Sequence, residues 1–217
     1  MKARVTASSG VSVERRSGLH KRQRGASLVV SLVMLVPVLL LGISAAKLSL
    51  QGEKASRNDR DRQVAFQAAE AALIDAELDI EKSPDPAKSR SDLFSESGQD
   101  AFIEGCGAGA DNVSLGLCVW PAQGSVPSWL AIDFLDAAPA TSGTVPYGRF
   151  TGKTLPIGEG ALPARLPRYV IESLVYNKPG EAAEGAGKTH FYRITAIGFG
   201  ARDTTRVVLQ TFYRKES

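Results

Sequence analysis

Few side chains in this sequence are spaced for chemistry, and each has a plain structural alternative. Beyond the first 25 residues there is one histidine, His190. It stands at the start of a predicted strand, where a lone histidine most often serves packing. No nucleophile elbow accompanies it, so a Ser-His-Asp hydrolase has no local signature. Two triplets, Gly152-Lys153-Thr154 and Gly187-Lys188-Thr189, imitate the end of a phosphate-binding loop. That loop needs a glycine five residues before its second one, where this chain has Tyr147 and Ala182. Gly105-Cys106-Gly107-Ala108-Gly109 is not a dinucleotide fingerprint, and Asn112-Val113-Ser114 is a sequon of a kind that chance supplies. No Cys/His group has zinc spacing, and no acidic run has the form of a calcium loop. The expectation is a protein with no enzymatic activity, no metal and no cofactor.

Cys106 and Cys118 are the remaining reactive pair. They are either two free buried thiols or a disulfide formed in an oxidising compartment. The bridge is the expectation, because both lie in a glycine-rich segment that needs a staple. In the chain-entropy model so short a loop is worth about 3 kcal/mol.

These groups hang on a chain organised around Lys21–Ala46. Lys21-Arg22-Gln23-Arg24-Gly25 is basic, and the 21 residues from Ala26 to Ala46 carry no charge. That length spans a hydrocarbon core of about 30 Å as a helix, which satisfies its own backbone in lipid. The first 24 residues hold seven Lys/Arg and one acid; the chain's net +3 therefore leaves −3 for the rest. A basic arm beside an apolar span predicts a cytoplasmic N-terminus and a translocated body. The acidic balance of that body argues against nucleic-acid binding.

Three fates are open to the span. It is a cleaved signal with a small-residue site at Ser44-Ala45-Ala46, an uncleaved anchor, or a segment kept whole after cleavage behind Gly25. Pro37 and Gly42 mark weak points in its helix.

The helix is predicted to run on to about Lys82, where Ser83-Pro84-Asp85-Pro86 ends it. Phe66, Ala69, Leu73, Ala76 and Ile80 recur at helical spacing and form the face expected to meet a sheet. Gln63, Glu70, Asp75, Glu77 and Asp79 read as their polar neighbours. Residues 84–167 are rich in Gly, Pro, Ser and Ala and predict irregular structure. It would be secured by the disulfide and by Trp120 and Trp129. Arg168–Tyr176, His190–Phe199 and Thr204–Tyr213 alternate as strands, with β-branched and aromatic residues dominant. They predict an antiparallel meander over residues 168–217. The fold class is therefore α+β: a long N-terminal helix, membrane-spanning in its first half, packed against a C-terminal antiparallel sheet.

A basic leader, Gly25 and a long apolar helix resemble the type IV prepilins. Arg60-Asp61-Arg62-Gln63-Val64-Ala65-Phe66-Gln67-Ala68-Ala69-Glu70-Ala71-Ala72-Leu73 is similar to the PilX family of minor pilins. So are Phe191–Ala196 and Val207–Tyr213 near the end. The resemblance covers residues 21–80 and 168–214 and implies a pilin-like fold. It implies a leader, residues 1–25, that prepilin peptidase removes between Gly25 and Ala26, with N-methylation of Ala26. Residues 26–46 would then form a transmembrane and filament-core helix, continued over 47–83.

The family usually has Phe or Met at the first mature position and Glu at the fifth; here they are Ala26 and Val30. The resemblance further implies a role in starting pilus assembly, in a tip complex that supports twitching motility and adhesion. Its partners would be other minor pilins, the major pilin, a tip adhesin and the inner-membrane assembly platform. Before assembly the chain would sit in the inner membrane of a Gram-negative bacterium, with its C-terminal domain periplasmic, and afterwards in the pilus. Two other readings stand beside it: a K-type-like minor pseudopilin of a type II secretion system, which shares the missing Glu, and an unrelated membrane-anchored periplasmic domain.

Overall fold

A computed structural model describes residues 26–176 and 189–215. Helix α1 runs Ala26–Glu81, unbroken through Pro37. The chain divides into two compact units at Gly52. In the first, the best 18-residue window of the helix has a mean hydropathy of 2.7 and buries none of its residues. Its side chains, Leu28 to Ile43, are all outward and open. Ser31 and Ser44 return their hydroxyls to the carbonyls of Leu28 and Leu40 at 2.9 and 2.8 Å, so neither leaves an unsatisfied donor in an apolar helix.

The second unit is built on a mixed five-stranded sheet. Its strands are β1 (Leu117–Val119), β2 (Val145–Pro146), β3 (Arg168–Tyr176), β4 (Thr189–Phe199) and β5 (Arg206–Tyr213), in spatial order β1-β3-β4-β5, with β2 also on β3. The long strands are antiparallel, with Ile171 opposite Ile194 and Ile194 opposite Thr211. The expected meander is present, but the sheet is not purely antiparallel. β1 comes from the loop-rich segment and lies parallel to β3, pairing Leu117 with Ile171. A parallel neighbour needs a long crossover, and residues 120–167 provide it. The loop that the predicted strands imply between them, Asn177–Thr189, lies outside the described residues, apart from Thr189, which opens β4.

Helix α1 covers one face of this sheet with a stripe of small residues. Ala65, Ala69, Ala72, Ala76 and Ile80 are wholly buried. Of the five positions expected on that face, Ala69, Ala76 and Ile80 are in this stripe and Leu73 packs at its margin. Phe66 instead is 41% exposed. The reason is distance: at Gly198 of β4, an added Cβ would lie 2.0 Å from the Ala65 carbonyl oxygen and 2.4 Å from the Ala69 nitrogen. A phenylalanine cannot fit between backbones that close, so the helix turns its alanines inward.

Residues 84–167 contribute more to the core than their composition suggests. Two 3-10 turns, Ser91–Phe94 and Glu96–Ala101, and a short helix α2 (Ser128–Ala131) punctuate them. Phe94, Phe102, Leu115, Leu117, Val145 and Phe150 join the helix and sheet in one apolar cluster. Phe94 meets Tyr192 edge-on at 5.3 Å and Phe102 stacks on it at 5.9 Å. A second cluster lies on the other face of the sheet. It gathers Cys106, Cys118, Phe134, Val170, Ile197 and Phe199, with Trp129 against it. Trp120 does not join either; it is 38% exposed, with the Arg193 guanidinium 4.1 Å above its ring.

Candidate functional site

The helix carries its polar anchors on the alanine stripe. Asp75 and Asp79 follow Ala72 and Ala76 at the same helical spacing, so both point into the domain and are fully buried. Asp79 accepts from Arg90 Nε at 3.0 and 3.1 Å and from Nη2 at 2.6 Å, and from the Tyr169 hydroxyl at 2.9 Å. Arg90 spends its other terminal nitrogen on the carbonyls of Val113 and Leu115, both at 2.7 Å, and lies 3.6 Å from the centre of the Phe150 ring. Asp75 accepts the Gly148 N–H at 2.7 Å and the Thr151 hydroxyl. Burial pushes the Asp75 carboxyl above the ordinary carboxylate range, against those two hydrogen bonds. Burial, and then the Asp79 charge, raise the Tyr169 hydroxyl well above its ordinary value.

Two further acids complete the row. Asp61 accepts from Arg202 Nε at 2.9 Å, from the Arg202 N–H at 3.1 Å and from the Thr205 hydroxyl. Burial opposes its ionisation, but the Thr205 and Arg202 donors outweigh that and hold it below the usual range. Glu81 accepts the Tyr213 hydroxyl at 2.9 Å. Asp61, Asp75, Asp79 and Glu81 thus bind the β4–β5 turn, the middle segment, β3 and β5 to one helix. Every oxygen with a named role is taken by a protein donor, so the arrangement is a joint rather than a reactive centre. Asp75 and Asp79 read in the sequence as polar neighbours of the apolar face; their shared spacing with Ala72 and Ala76 is the signal that places them inside.

Cys106 and Cys118 form a disulfide, across a Cα separation of 4.1 Å. It closes the turn at Gly105-Cys106, where both residues have positive φ, onto β1.

The residues singled out for chemistry fall elsewhere. His190 Nδ1 is 3.4 Å from the Ser173 hydroxyl, and that hydroxyl donates to Gln99 Oε1 at 2.6 Å. The serine proton is therefore directed at an amide, not at the imidazole. Gly152-Lys153-Thr154 follows the turn at residues 147–151, with Gly152 at φ +71°, and Gly187 and Lys188 lie outside the described residues. The Asn112 amide closes its own turn, accepting the Ser114 N–H at 2.9 Å and donating to the Ala108 carbonyl at 3.0 Å. Among the described residues no His/Cys/Asp/Glu group has the arrangement of a metal site. In the first unit Val30 is 58% exposed on the apolar helix. Ala26 is its first described residue, and Gly25 lies outside the described residues.

A long apolar N-terminal helix, and a head in which the helix's second half is covered by a mixed sheet, define a pilin-like α+β protein. Residues 103–215 match the family model described as the C-terminal part of the type IV pilus assembly protein PilX, and residues 24–73 match the PilX N-terminal model. The chain belongs to the PilX family of type IV pilus assembly proteins. Neither a curated protein nor a solved structure matches it. Membership makes it a minor pilin that takes part in pilus assembly alongside other pilus components, and the apolar helix fits membrane anchoring.

Proposed function

We propose that this minor pilin helps to initiate type IV pilus assembly from the filament tip, in a complex with other minor pilins, and so supports twitching motility and surface adhesion. Prepilin peptidase cuts between Gly25 and Ala26, and Ala26 is N-methylated. Residues 26–46 then anchor the chain in the inner membrane of a Gram-negative cell, with the domain periplasmic. The assembly platform moves that helix into the filament core, where the major pilin follows and a tip adhesin joins the minor pilins.

One observation carries the tip position: an aliphatic residue, Val30, stands fifth from Ala26. In the family a Glu there is thought to pair with the terminal amine of the subunit ahead. A charge in an apolar helical core is costly unless paired, so that Glu recruits one subunit beneath another. Val30 cannot accept the amine, while the amine of Ala26 can still receive the Glu of the next subunit. Such a subunit can be followed but has no electrostatic reason to follow.

Labelling the exposed domain in sheared pili tests this reading. Label at one filament end is the expected result, and label spread along the filament rejects it. Val30→Glu should disturb pilus number or placement while leaving cleavage intact. Gly25→Val should leave the precursor unprocessed, since glycine lets the peptidase approach the backbone. A mature protein that begins at Lys47 by mass spectrometry overturns the cleavage site.

A further inference from the structure

Arg168, the first residue of β3, is 9% exposed and makes no ion pair among the described residues. Its Nε donates to the Thr144 hydroxyl at 2.6 Å, and its Nη2 to the Ser142 hydroxyl at 2.7 Å and the Thr144 carbonyl at 3.2 Å. All of these acceptors are neutral. Nη1 has no acceptor among the described residues and is not sealed from solvent, so it is open on the cavity side. The same side chain lines a cavity of about 150 Å³ together with Arg149, whose Nη2 donates to the Ala110 carbonyl. The rest of the wall is largely apolar, from Leu115, Ala138, Pro139 and Pro146. Burying a cation against neutral acceptors is unfavourable unless an anion completes it. Burial, and then the nearby charge of Arg165, lower the Arg168 pKa, and the charge of Asp136 offsets them only in part, so the cation is incompletely compensated.

The neighbouring acids are committed elsewhere. Asp136 takes the Ala138 N–H at 2.9 Å and the Thr141 hydroxyl at 2.7 Å, and has no hydrogen bond to Arg168. Asp203 pairs with Arg165 at 2.6 Å. Asp111, fully exposed, reaches Arg149 only at 3.8 Å.

We infer that this cavity binds a carboxylate carried on a short apolar stem, of the kind a glutamate side chain of another protein presents. The charged end meets Arg168 Nη1 and Arg149, and the stem lies along the alanine and proline wall. A phosphate would leave the apolar wall unused. The site is independent of where the subunit sits in a pilus.

The test uses the full chain in detergent micelles, with butyrate as probe and inorganic phosphate as comparison, at fixed ionic strength. Thermal unfolding is followed by circular dichroism. Butyrate several-fold above its dissociation constant should raise the midpoint saturably, by about 2–4 °C, and phosphate by clearly less. Arg149→Gln, compared with its own ligand-free midpoint, should lose the butyrate response. Ala138→Leu, which fills the cavity while leaving both arginines, should lose it too. No response in the wild type, a wild-type response in both variants, or phosphate acting as strongly as butyrate would overturn the inference.

Discussion

Arg90 grips both carboxylate oxygens of Asp79 inside the core, at 2.6 to 3.1 Å, with neither side chain more than 3% exposed. The pair ties the segment after α1 back onto the helix it has just left. Asp79→Ala leaves the guanidinium buried without its counter-charge, which typically costs about 3–5 kcal/mol. Urea unfolding of the full chain in detergent should show that loss. Replacing both partners with apolar residues should recover part of it. Equal losses for the single and double variants would count against the pairing.

The contact of Gly198 with Ala65 and Ala69 predicts a steep effect from one methyl group. Gly198→Ala has to part β4 from α1, and overpacking of this kind costs about 1–3 kcal/mol. Gly52→Ala is the control, because nothing lies within 4 Å of an added Cβ there. It should be neutral or stabilise the helix by up to about 1 kcal/mol. Thermal midpoints of the two variants should move in opposite directions or differ clearly.

Asp75 and Asp61 predict opposite pH dependences. Asp75 has its pKa raised by burial, so the folded state holds a proton that the unfolded state releases above about pH 3.9. Its share of stability is therefore greatest at low pH and declines as pH rises through the folded pKa, and Asp75→Asn should remove that decline. Asp61 has a lowered pKa, so its share is present above about pH 3.9 and is lost as pH falls through its folded pKa. Asp61→Asn should flatten the acid limb instead. Stability against pH for the two variants, each compared with wild type, checks both signs.

Loss of the disulfide should be felt locally. Cys106→Ala with Cys118→Ala frees the turn at Gly105 from β1 and removes a cross-link worth about 3 kcal/mol. Hydrogen exchange should rise around residues 103–119 well before it rises in β4. Uniform loosening of the sheet would show that the bridge supports the whole domain instead.

Much of this protein was legible as local pattern. An uncharged run from Ala26 to Ala46 predicts an apolar helix, and the alternation in Arg168–Tyr176 and the later strands suits a half-buried sheet. Two cysteines in a glycine-rich segment invited a bridge. Each of these depends on a residue and its near neighbours in sequence, where propensity and period act. Tertiary structure alone decided which side of α1 turns inward. Phe66 belongs to a good apolar stripe, but Gly198 brings β4 so close that only alanines fit. It also decided that Asp75 and Asp79 are buried, because their partners Thr151 and Arg90 come from loops without period. The parallel pairing of β1 with β3 and the half-satisfied charge of Arg168 arise in the same way, from contacts between residues dozens of positions apart. Such contacts leave no periodic trace in the chain, and only the packed domain brings the donors, acceptors and backbones within reach.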